Sequence, residues 1–158
     1  MMDKEIFSKY PPAEDNLLSL LIDIQAHSPQ NYLSREAMEE AARYFNVTKA
    51  RVYGIAGYYS MLSTEPRGRH VIRLCRSPVC RMFGAFDVAG ELEHELGIRF
   101  GETTGDGLFT LEYSECLGRC NHSPTMMVGA KFYGRLDGEK IRYIIDHLRD
   151  ESAKEADR

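Results

Sequence analysis

HVIRLCRSPVC, residues 70–80, and FTLEYSECLGRC, residues 109–120, decide how this chain is read. Each begins as an apolar, strand-like run and breaks at a cysteine into a loop containing Gly, Pro or Arg. Cys75 and Cys80 form a C-x4-C pair, Cys116 and Cys120 form a C-x3-C pair, and these 4 cysteines are all that the chain has. Two strand-to-loop junctions that gather four thiolates make a metal site.

The spacing bears on which metal. Structural zinc sites favour C-x2–4-C knuckles, a range that holds the x3 pair and has the x4 pair at its upper edge. Thiol–disulfide exchange favours C-x-x-C at a helix start, which is absent. A two-iron, two-sulfur core is larger than one ion and suits wider spacing within each pair. Plant-type ferredoxins use C-x4-C-x2-C plus a distant cysteine, whereas here two pairs flank residues 81–115. Spacing alone therefore leaves a [2Fe-2S] cluster, zinc and unligated thiols open, with the cluster favoured. Such a cluster on four thiolates carries a charge of about −2 oxidised and −3 reduced, so nearby cations favour reduction. Arg76, Arg81 and Arg119 adjoin cysteines and Arg73 lies two residues before one. Gly84 and Gly118 are candidates to let backbone N–H groups approach sulfur. His122 is read as a neighbour of the site rather than a ligand, because four cysteines complete the set. His27, His70, His94 and His147 share no spacing and are given no role.

Bulk composition excludes several classes. The 158 residues are 43% hydrophobic, enough for a real core. A net charge of −4 argues against a dedicated nucleic-acid binder. No window approaches the roughly 18 apolar residues of a membrane span. MMDKEIFSKYPP lacks the pattern of an export signal, so a cytoplasmic location is expected, where cysteines serve as ligands or redox groups rather than as a disulfide framework.

The period changes along the chain. Residues 1–64 read as helical after an irregular lead that ends at Pro11 and Pro12. Leu17, Leu18, Leu21 and Ile24 recur at helical spacing. Ser34 and Thr48 read as N-caps, with Leu33/Met38 and Val47/Val52 as hydrophobic staples. The third helix is expected to run through YGIAGYYSML, with Gly54 and Gly57 marking close packing or a bend. Tyr53, Tyr58, Tyr59 and Met61 read as core or subunit contact. EPRGR at 65–69 is the expected linker. Beyond it come a strand at 70–75, a helix from Pro78 to Leu96, a turn-rich 101–107 and a strand from Phe109. Two short strands around Gly129 follow, then a helix begun at Asp137 and carrying Ile141, Ile144, Ile145 and Leu148. The order β-α-β-β-β-α predicts an α/β sandwich at 70–150, and the tail at 151–158 is expected to fray.

At C75-RSPV-C80-RMFGA and TTGDGLFTLEYSEC116-LGR-C120-NHSPTMMVG the chain resembles the thioredoxin-like [2Fe-2S] subunits of NADH dehydrogenases. That family includes the small cluster-bearing subunit of respiratory complex I and matching subunits of NAD(P)-linked and electron-bifurcating hydrogenases and formate dehydrogenases. ARVYGIAGYYSML is similar to the family's helical lead, and the resemblance covers nearly the whole chain. It implies an α/β architecture, with an N-terminal helical bundle followed by a thioredoxin-like [2Fe-2S] ferredoxin domain. It implies that Cys75, Cys80, Cys116 and Cys120 bind the cluster. It implies a flavoprotein partner carrying FMN, the NAD(P)H site and further iron–sulfur centres. Asn121 and His122 stand where the family often has small apolar residues, and added polarity near the sulfurs raises a reduction potential.

The expected role is therefore a one-electron relay in a multisubunit oxidoreductase. No residue reads as an acid, base or nucleophile, and no glycine-rich phosphate fingerprint follows a strand. A zinc-binding interaction module and a free-standing ferredoxin-like carrier are the rival readings.

Overall fold

The computed structural model describes residues 4–156. Residues 1–3 and 157–158, which belong to the expected irregular lead and charged tail, lie outside the described residues. The chain divides between Arg67 and Gly68 into two units.

The first unit is helical: α1 (Lys4–Ser8), α2 (Leu17–His27), α3 (Arg35–Tyr44) and α4 (Lys49–Tyr58). The lead is not irregular throughout, because α1 buries Ile6 and Phe7. The Tyr44 hydroxyl reaches the carbonyls of Phe7 and Tyr10 at 3.1 and 2.8 Å and holds that segment. Glu14–Asn16 form a 3-10 turn before α2, whose Leu17, Leu20, Leu21 and Ile24 enter the core. The Ser34 hydroxyl accepts the Ala37 N–H at 3.1 Å and the Thr48 hydroxyl accepts the Arg51 N–H at 3.2 Å. Each cap contributes about 1 kcal/mol. Leu33 and Met38 are both buried across the first of them.

Helix α4 stops at Tyr58 instead of running on through Leu62. The Gln25 carboxamide donates to the Met61 carbonyl at 2.9 Å and accepts the Ser63 N–H at 2.7 Å. These bonds satisfy backbone groups that a longer helix would pair internally, and Leu62 turns into the core. Gly54 and Gly57 do not mark close packing, since a Cβ at either meets nothing within 4 Å. Tyr53, Tyr58, Tyr59 and Met61 are exposed rather than core.

The second unit contains β1 (His70–Cys75), α5 (Pro78–Met82), α6 (Ala85–Leu96), β2 (Phe109–Ser114), β3 (Thr125–Val128), β4 (Lys131–Gly134) and α7 (Gly138–Ala156). The sheet order is β2-β1-β3-β4. The β1–β2 pair is parallel and needs the helical crossover between them, while β1–β3 and β3–β4 are antiparallel. Ile72 and Leu74 of β1, Phe109 and Leu111 of β2, and Met126 and Val128 of β3 pack with α6 and α7. The face that α7 contributes is Ile141, Ile144, Ile145 and Leu148.

Three details differ from expectation. The helix from Pro78 breaks into α5 and α6 at Gly84, where φ is +90°. Residues 101–104 are not only turns, because Gly101 and Glu102 exchange backbone hydrogen bonds with Leu111. The tail does not fray at 151: α7 continues to Ala156, and Ser152 is buried. Its hydroxyl donates to the Leu148 carbonyl at 2.9 Å and lies 2.7 Å from His70 Nε2.

Candidate metal centre

Register places the cysteines. Cys75, the last residue of β1, pairs with Ser114, the last residue of β2, so the two cysteine loops leave the same end of the sheet side by side. Because β3 runs antiparallel to β1, its first residue, Thr125, starts at that same end, opposite Gly134 of β4. Cys75 and Cys80 are each 1% exposed and pack with Ala85 and Leu117. Cys116 and Cys120 are exposed. The four thiols thus form a buried pair and an exposed pair, none of them in a disulfide.

Hydrogen-bond donors surround the sulfurs. Ser77 stands at the N-cap position of α5, yet its hydroxyl caps no backbone N–H. It acts instead on the thiols of both Cys75 and Cys116, lowering the pKa of each. Burial is the largest influence on Cys75 and pushes its pKa up, but bonds from the Ser77 hydroxyl and N–H, the Leu117 N–H and Cys80 outweigh it and leave the thiol acidified. Cys116 is acidified first by the Gly118 N–H, which donates to its Sγ at 3.4 Å, then by Ser77 and Cys120. Cys120 moves the other way, raised by its hydrogen bond to Cys116 and by that neighbour's charge. Cys80 Sγ lies 3.5 Å from the Ser123 hydroxyl and 3.6 Å from that of Thr125.

Sequence reasoning anticipated Gly118, whose φ of +71° aims its N–H at sulfur. Gly84 does not play that part; its N–H goes to the Arg81 carbonyl at 3.3 Å. The arginines are not an undivided field of positive charge. Arg73 is buried and pairs with Glu112 at 3.0 Å, and Arg76 pairs with Glu115 at 2.7 Å. Arg81 lies 4.7 Å over the Phe86 ring and Arg119 lies 4.6 Å over that of Phe132, with no carboxylate paired to either among the described residues. His122 is exposed, with Nδ1 2.8 Å from Asn121 Oδ1. Ser77, Leu117, Ser123 and Thr125 were not anticipated. Ser77 and Ser123 each precede a proline, which is the one local signal either carries, and the Ser123–Pro124 peptide is cis.

With this geometry in place, comparison with known proteins decides the family. The model of the family described as thioredoxin-like [2Fe-2S] ferredoxin matches residues 3–149. The chain belongs to that family. Among curated family relatives it is 35% identical over 142 residues to the second E-type subunit of the NADH-quinone oxidoreductase of Rhizobium meliloti, covering 90% of this chain and 83% of that one. It is 31% identical over 149 residues to the E-type subunit of the Rickettsia felis NADH-quinone oxidoreductase, covering 94% and 89%. It is 31% identical over 151 residues to the corresponding E-type subunit of Mycobacterium tuberculosis H37Rv, covering 96% of this chain but 59% of that longer one. An NAD+-reducing [NiFe]-hydrogenase in the air-oxidised state shares the fold with a TM-score of 0.74 at 20% identity, over 86% of this chain and 23% of that chain.

The family's group is a [2Fe-2S] cluster, and the donor set fits it. The thiols come as two pairs, Cys75 and Cys80 buried, Cys116 and Cys120 exposed. A tetrahedral zinc site takes all its ligands at one point, whereas two adjoining pairs suit a binuclear core. N–H and hydroxyl donors facing the sulfurs suit the anionic charge that such a core spreads over its thiolates.

Proposed function

We propose that this chain is the electron-transfer subunit of an NAD(P)H-linked multisubunit oxidoreductase, holding one [2Fe-2S] cluster on Cys75, Cys80, Cys116 and Cys120. The observation that carries this reading is the gathering of both cysteine pairs at one sheet end, where the pairing of Cys75 with Ser114 sets their loops side by side. A cluster bound there supplies a site that takes up and gives back one electron at a time.

The chain's residues set the conditions for that exchange. Ala85 and Leu117 pack around the buried cysteines and keep water from that side. The exposed Cys116 and Cys120 leave the other side of the site open to solvent. The Gly118 N–H donates to the Cys116 sulfur, which favours the more negative, reduced state and raises the potential. Arg81, next to Cys80 in α5, and Arg119, next to Cys120, are the neighbouring cations that would add to that tendency. The partner on this reading is a flavoprotein subunit that carries FMN, the NAD(P)H site and further iron–sulfur centres and takes the hydride. The names of the Rhizobium and Rickettsia relatives support a complex of the NADH–quinone oxidoreductase kind. No helix among the described residues is long and apolar enough to cross a membrane.

The test is anaerobic purification of the full chain, iron and sulfide analysis, and low-temperature EPR after dithionite reduction. About two irons and two sulfides per chain with a spin-half signal are expected. Cys116→Ser or Cys120→Ser should lose or alter that signal. Unchanged iron content and spectrum in both variants would overturn the ligand assignment, and zinc without sulfide would overturn the relay.

A further inference from the structure

Beside the buried cysteine pair, α5 and the start of α6 leave an apolar patch uncovered. Met82 is 83% exposed, Phe83 62% and Phe86 61%, and Val79 is also exposed. Single exposed apolar side chains are ordinary, but four within eight residues, two of them aromatic, are not. No fold requirement accounts for them: α6 meets its core through Val88, Ala89, Leu92 and Leu96, on another face. Met, Phe and Arg are also the residue types enriched in the cores of protein interfaces.

The charge around the patch is one-sided. Residues 73–86, RLCRSPVCRMFGAF, contain three arginines and no carboxylate, in a chain of net charge −4. Arg73 and Arg76 are paired with Glu112 and Glu115, which leaves the Arg81 guanidinium, stacked on Phe86, as the cation at the patch. Asp87, at the head of α6, is the nearest acid in sequence. A cation beside exposed aromatic surface, with no carboxylate paired to it among the described residues, is matched by a carboxylate from outside.

We infer that Val79, Met82, Phe83 and Phe86 with Arg81 form the docking surface for the redox partner, whose facing surface has an apolar centre and a carboxylate rim. The inference rests on the relay reading above and adds where the partner binds. Its location follows from Cys80 lying in α5 itself, so that a protein seated on Met82 and Phe86 is held against the cysteine site.

The experiment uses the full-length, cluster-loaded chain and the purified NADH-oxidising flavoprotein subunit from the same cells. Reduction of the cluster by NADH is followed by stopped-flow absorbance. Met82→Asp and Met82→Lys are compared, since this side chain is mostly in solvent and either charge leaves folding and cluster content intact. A carboxylate-rimmed partner slows with Met82→Asp by about tenfold or more at low ionic strength, with Met82→Lys affected far less, and added salt narrows the gap. Rates for the two variants within about twofold of each other would overturn the inference. Sedimentation of the same proteins supplies a second overturning result: a dimer lost in Met82→Asp with unchanged electron transfer would assign the patch to a second copy of the chain. A wild-type chain with a cluster that the flavoprotein never reduces, or with no cluster, would overturn the relay reading, and the docking surface with it.

Discussion

Gly134 at the end of β4 approaches His122 so closely that a Cβ there would stand 2.6 Å from both the Cβ and the carbonyl oxygen of His122. That carbonyl also accepts the Arg135 N–H. The β3–β4 hairpin is therefore seated against the short 3-10 turn Cys120–His122 that carries the fourth cysteine.

Gly134→Ala must push this turn aside, because the nearest atoms include backbone and cannot rotate away. Overpacking of this kind costs about 1–3 kcal/mol. A lower urea midpoint and reduced iron content per chain are expected. Retention of both wild-type values would show that the contact does not constrain the turn.

Gly118→Ala tests the N–H···S bond. At φ +71° a side chain costs roughly 1–2 kcal/mol, and relaxation of the loop swings the N–H away from Cys116. Loss of a donor to sulfur disfavours the reduced cluster, so the midpoint potential in an EPR-monitored titration should fall. A potential unchanged from wild type would remove this bond from the account of cluster tuning.

His70 predicts a pH dependence. Burial is the main cause of its lowered pKa, helped by the charge of Arg69 and opposed by Glu151. Its neutral ring packs near Phe109 and reaches Ser152. A histidine depressed on folding binds a proton more readily when unfolded, so its contribution is complete above its ordinary value of 6.5 and is lost as pH falls below that toward the folded value. Urea midpoints should decline on acidification, and His70→Asn should flatten that decline. Parallel curves for the two proteins would assign the effect to other groups.

Leu111→Ala and Met82→Ala separate core from surface. Leu111 is fully buried between sheet and helices, and its truncation should cost about 2–5 kcal/mol. Met82 protrudes, and its truncation should stay within about 0.5 kcal/mol. Chemical denaturation of both variants checks the contrast, and a large loss for Met82→Ala would mean that it packs within its own fold.

Much of the fold was legible because its signals are local. Ser34 and Thr48 mark helix starts by a hydroxyl three residues from the N–H it accepts. The Ile141, Ile144, Ile145 and Leu148 stripe on α7 is a periodicity visible in any window. What was misread depended on partners far along the chain. Helix α4 ends where it does because Gln25, 36 residues before Met61, bonds its carbonyl. The tail stays helical where Ser152 meets His70, 82 residues away. The break between α5 and α6 turns on one glycine adopting φ +90°.

The same division runs through the site. The sequence by itself determined the chemistry available: four thiols in two pairs, each where a strand gives way to a loop, with Gly118 inside the second pair. Tertiary structure alone decided their environment. Parallel pairing of β1 with β2 set the pairs side by side, and the Ser77 hydroxyl, which caps no N–H of α5, lowers the pKa of Cys75 and Cys116. Pairing of Arg73 and Arg76 with Glu112 and Glu115 left Arg81 and Arg119 as the two of these four with no carboxylate partner among the described residues. Residue types and spacing are properties of the chain, but which donor meets which sulfur is a matter of distance. That distance exists only once strands about 40 residues apart have found their register.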